Sequence, residues 1–128
     1  MPRAALAVLV LGCLLVGGAP AASAQSQRLS ASPNPVSFGQ ELTIRGRGWP
    51  VIEFCPRRVR LVLRSDQNEF RIGFTRVRDS GRFVHRFTPR RSRVGAGRWR
   101  LVARLRCESG DDGSPVFVRR SLRLRIRG

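Results

Sequence analysis

Apolar and polar positions alternate with a period of two along most of this chain beyond its first 27 residues. In the stretch 98–107, Trp99, Leu101, Ala103, Leu105 and Cys107 share one parity, and Arg98, Arg100, Val102, Arg104 and Arg106 share the other. That is the pattern of a β-strand with one buried and one solvated face. The alternation recurs where Val59, Leu61 and Leu63 oppose Arg58, Arg60, Val62 and Arg64, and where Leu122, Leu124 and Ile126 oppose Arg123, Arg125 and Arg127. Shorter copies occupy Arg28 to Ser32, Glu41 to Arg45, Phe70 to Thr75 and Phe83 to Phe87. Between them stand turn-forming residues: Pro33-Asn34-Pro35, Gly46 to Pro50, Ser65 to Asn68, Asp79-Ser80-Gly81, and Gly110 to Gly113. Pro33-Asn34-Pro35 forbids both helix and regular ladder, so a turn or strand switch is expected there. Short strands with no helical period predict an all-β, antiparallel β-sandwich of about 7 strands, with a closed barrel as the alternative.

The N-terminal segment follows a different rule. Arg3 precedes an uncharged apolar run, Ala4 to Val16, and Ala22-Ser23-Ala24 has the small residues of a cleavage site before Gln25. The run spans about 13 residues, short of the roughly 20 that cross a bilayer. Residues 1–24 are therefore expected to be a signal peptide and 25–128 one secreted or cell-surface domain. A lipidated Cys13 is the lesser alternative, because Leu14-Leu15-Val16 continues the apolar run past it. After cleavage two cysteines remain, Cys55 and Cys107, and export predicts that they pair.

Ser32-Pro33-Asn34-Pro35, Gly39-Gln40-Glu41-Leu42-Thr43-Ile44-Arg45-Gly46-Arg47-Gly48-Trp49, Asp79-Ser80-Gly81-Arg82-Phe83, and Gly97 to Ala103 with Cys107 resemble the repeating signature of small secreted bacterial immunoglobulin-like domains, especially actinobacterial ones. The likeness spans nearly all of residues 25–128. It implies a module for display, adhesion or ligand binding, usually without catalytic residues, and it implies that strands 57–64, 98–107 and 116–127 share one sheet. A narrower similarity is to the antibiotic-carrying apoproteins of the neocarzinostatin type, with their sandwich, early Gly-x-Gly bend and following cysteine. This chain departs from them in having one expected disulfide and a strongly basic charge.

Charge changes the picture most. The formal net charge is +17, from 25 basic and 8 acidic residues, and every basic residue is arginine. Removing Arg3 with the leader leaves 24 minus 8, or +16. In the arrangement implied by the resemblance, one sheet face carries Arg58, Arg60, Arg64, Arg98, Arg100, Arg104, Arg106, Arg123, Arg125 and Arg127. Facing like charges destabilise a ladder, and the acids fall mainly in turns or at strand ends. The face is accordingly expected to bind anionic polymers or a cell-envelope surface, guanidinium forks matching phosphate, sulfate or carboxylate. A solvated face that serves solubility is the bland counterpart. Specific nucleic-acid binding is not expected, because Phe70, Phe74, Phe83, Phe87 and Trp99 occupy core parities and there is no tyrosine.

Catalytic chemistry has little support. His85, the lone histidine, lies between Phe83 and Phe87 in parity and reads as a partly buried residue without a placed nucleophile. No His, Cys and carboxylate spacing suits a metal, and Glu108, Asp111 and Asp112 read as a solvated turn rather than a calcium loop. Trp49 is either an exposed anchor or packed over the Gly46–Gly48 bend. The chain reads as a non-enzymatic binding module without cofactor. The alternatives are a carrier of a small apolar ligand and a purely structural surface module.

Overall fold

The computed structural model describes residues 27–108 and 113–128. The expected signal peptide, Cys13, and the Asp111 and Asp112 turn lie outside them. Eight strands are present, and no helix occurs among the described residues: β1 (Arg28–Ser32), β2 (Val36–Ser37), β3 (Leu42–Arg47), β4 (Arg58–Arg64), β5 (Glu69–Arg76), β6 (Phe83–Phe87), β7 (Gly97–Glu108) and β8 (Pro115–Arg127). Seven correspond to the alternating stretches; the eighth, β2, is a two-residue strand too short to carry a periodic signal.

The strands form two sheets, ordered β1-β3-β6 and β2-β8-β7-β4-β5, so the fold is a sandwich rather than a closed barrel. All neighbours are antiparallel except β2 and β8. Leu42, Ile44 and Phe83 from the smaller sheet meet Val59, Leu61, Leu63, Leu101, Leu105, Leu124 and Ile126 from the larger, each at most 2% exposed. These are the residues whose parity marked them as inward, and burying each contributes roughly 1.5–3 kcal/mol.

Pro33-Asn34-Pro35 is where the chain leaves the smaller sheet for the larger. Asn34 holds the crossing in place: its side-chain amide donates to the Arg123 carbonyl at 2.8 Å and its Oδ1 accepts from the Arg125 N–H at 3.1 Å. One side chain thereby satisfies backbone groups on the otherwise open edge of β8, ahead of the pairing of Val36 with Ile126.

Trp49 is buried, not an exposed anchor: it is 2% exposed, packs edge-on against Phe83 at 5.3 Å, and donates from Nε1 to the Arg28 carbonyl at 3.1 Å. Gly46 makes room for this packing, because a Cβ there would fall on the Phe83 ring. The expected Cys55–Cys107 disulfide is present. It ties the 50–57 loop to the end of β7, and closing a loop of 52 residues contributes about 4 kcal/mol on the chain-entropy model.

One core assignment is corrected. Phe74 is 43% exposed, on the outer side of β5. The register explains it: Leu61 pairs with Gly73 but Val62 pairs with Arg71, leaving Ile72 as the extra residue of a β-bulge. Beyond the bulge the parity inverts, so Phe70 faces inward while Phe74 faces outward opposite Arg60.

Candidate anion-binding face

The outer face of the larger sheet assembles arginines in rows across strands about 4.8 Å apart. Arg60 of β4, Arg104 of β7 and Arg119 of β8 form one row, and Arg64, Arg100 and Arg123 form another. Arg98 pairs with Arg125, Arg106 stands opposite Phe117, and Arg58 and Arg127 lie on the outward parity of β4 and β8. All ten arginines singled out from sequence therefore lie on one sheet. Arg119, Arg71 and Arg76 join them, Arg76 because the bulge inverts the parity on its side of Ile72.

Between the two long rows lies an apolar strip. Val62 and Val102 face each other there and are only 5% and 2% exposed despite their outward parity. Arg60, Arg64, Arg104 and Arg119 surround them, with Glu69, in the rows on either side.

Neutralisation within the face is sparse. Glu69, at the start of β5, lies 3.9 Å from Arg60 and 3.4 Å from Arg64, so it is an interleaved acid of a kind the sequence reading did not place. The Nε atoms of Arg60 and Arg64 are buried without a hydrogen-bond partner, which leaves two oriented donors beside that acid. Arg58 stacks over Phe74 at 3.9 Å, Arg104 lies over Phe117 at 4.6 Å, and Arg100 donates to the Ser121 hydroxyl at 3.3 Å. The remaining acids in ion pairs serve elsewhere: Asp79 pairs with Arg57, and Glu41 lies 3.7 Å from Arg86.

An open cleft of about 1340 Å³ crosses this face, where Arg64, Arg98, Arg100, Arg119, Arg123 and Arg125 approach Asn34 and the 65–68 turn. It can take an extended chain of oxyanions, with Asp66 as the acid on its border. The smaller sheet is basic too, through Arg28, Arg45, Arg47 and Arg86, but Ser30, Thr43 and Val84 interrupt its rows.

His85 sits on β6 opposite Ile44, half-buried, and its pKa is lowered from 6.5 by desolvation. Its ring lies 4.0 Å from where a side chain at Gly73 would begin, so it fills space between the sheets. Among the described residues no three His, Cys, Asp or Glu side chains gather as a metal site. The exposure of Phe74 and Phe117 beside arginines removes part of the reason for setting nucleic acid aside, since both present an aromatic face near cations. No protein-family model and no curated protein matches this chain.

Proposed function

We propose that the chain is an exported, non-enzymatic module of immunoglobulin-like type whose arginine face binds anionic polymers or surfaces. Support for the type comes from the sheet order, in which the first strand switches sheets and then runs parallel to the last. The disulfide is a departure, because it joins a loop to a strand at one end of a single sheet, whereas antibody domains bridge their two sheets.

The observation that carries the binding reading is the pair of three-arginine rows served by one acid, Glu69. A folded sheet can hold such rows at modest cost if solvent and salt screen them. A phosphate- or sulfate-bearing chain laid along the 1340 Å³ cleft replaces that screening with bidentate hydrogen bonds and releases counterions. Envelope polymers and soluble polyphosphates have this chemistry.

The test is titration with inorganic polyphosphate across salt. Affinity is expected to fall steeply with added salt. Combined Arg100→Glu, Arg104→Glu, Arg123→Glu and Arg125→Glu substitution is expected to weaken it at least tenfold, about 1.4 kcal/mol. Reversing Arg28 and Arg47 on the other sheet serves as the control and is expected to matter several-fold less. Equal losses from both sheets would reduce the face to diffuse charge, and unchanged binding in the four-residue variant would refute the reading.

A further inference from the structure

One end of the sandwich has a second surface, built differently from the arginine rows. The pairing of β4 with β7 stops at Val59 and Leu105, whereas β7 and β8 run on as a two-stranded ribbon through Arg106–Phe117, Cys107–Val116 and Glu108–Pro115. The 50–57 loop lies against that ribbon, held by the Cys55–Cys107 bond and by the Glu108 N–H donating to the Phe54 carbonyl at 2.8 Å. Ile52, Phe54, Phe74, Val116 and Phe117 are 47%, 56%, 43%, 54% and 45% exposed. Among the described residues, Val84 is the one other large apolar side chain so exposed. Ile52, Phe54 and Phe74 line an open cleft of about 1090 Å³ together with Arg57, Arg58 and Arg76.

We propose that this end docks on an anionic lipid bilayer, its apolar side chains entering the headgroup–acyl boundary and the flanking arginines taking lipid phosphates. The charge around it fits. Arg58, Arg76, Arg104 and Arg106 stand with Glu53 and Glu108, and Arg57 is paired to Asp79. The shape fits as well. The apolar groups project from a loop, a strand edge and a ribbon end rather than forming one flat patch, and a fluid phase accommodates projecting groups without a complementary surface. A soluble polyanion has no place for Ile52, Phe54 or Val116, and aliphatic side chains do not stack on bases. Apolar burial combined with basic residues is the usual source of reversible attachment to anionic membranes.

The proposal shares an anionic partner with the arginine-face reading but stands on the apolar end, so the two fail separately. Full-length protein is mixed with phosphatidylcholine vesicles, with and without about one-third phosphatidylglycerol, and the bound fraction is measured by co-sedimentation. Binding is expected to require the anionic lipid. In the combined Ile52→Ser, Phe54→Ser and Val116→Ser variant it is expected to fall about tenfold or more, with polyphosphate affinity and thermal midpoint near those of the parent. In a second arm, Phe54→Trp is expected to show a blue-shifted emission on anionic vesicles, over the constant background of buried Trp49 and Trp99. Vesicle binding unchanged in the triple variant, equal binding to neutral vesicles, or no spectral shift would overturn the proposal. Loss of single-stranded nucleic acid in the triple variant with vesicle binding intact would overturn it in favour of base stacking.

Discussion

Gly46 shows how one residue can fix the packing of a whole layer. It lies in β3 between Leu29 of β1 and Phe83 of β6, and the Phe83 ring occupies the space any side chain there would need. Phe83 is fully buried and braced by Trp49, so it has no easy retreat. Gly46→Ala is therefore expected to destabilise the fold by about 1–3 kcal/mol, read as a lower urea midpoint at unchanged slope. His85 adds a pH dependence. Its folded-state pKa lies below 6.5 because burial disfavours the charged form, so below that value the unfolded chain takes up a proton that the folded chain resists. The neutral ring's contribution is complete above 6.5 and is lost as pH falls beneath it. The thermal midpoint of the parent should thus decline more steeply between pH 7 and pH 5 than that of His85→Gln, as calorimetry would show.

The strand is the scale at which sequence was most informative and also where it stopped. Parity alone separated Leu61, Leu101 and Leu124 from Arg60, Arg100 and Arg123, because each strand of the larger sheet has one face against the core. Parity does not reveal a bulge, however. Ile72 adds one residue to β5, and everything beyond it changes face, which moved Phe74 outside, while Glu69, before the bulge, keeps the outward parity that sets it beside Arg60 and Arg64. Nor does it mark where a sheet ends: Val116 has the inward parity of β8, opposite Cys107, but is 54% exposed. Pairing partners also had to come from the fold, since the Arg60–Arg104–Arg119 row depends on register between distant segments. The consequence at this scale is specific to Glu69. Its pairs with Arg60 and Arg64 are partly solvent-exposed and contribute well under about 1 kcal/mol to stability. Glu69→Gln is expected to leave the urea midpoint nearly unchanged while tightening polyphosphate binding several-fold, because the larger sheet loses its interleaved acid.

Considered as a whole, the molecule separates two tasks. The inward faces of both sheets are apolar and closed, and the outward face of the larger one carries the arginine rows on either side of the Val62–Val102 pair. The sheets meet through apolar packing, while the disulfide lies at one end of the larger sheet. A mechanical property follows. Tension applied between the two ends of the described chain can peel β1 and β8 from their neighbours, but it cannot lengthen the covalently closed segment from Cys55 to Cys107. That segment spans 52 residues, so roughly 180 Å of contour is withheld from stretching for as long as the bond is intact.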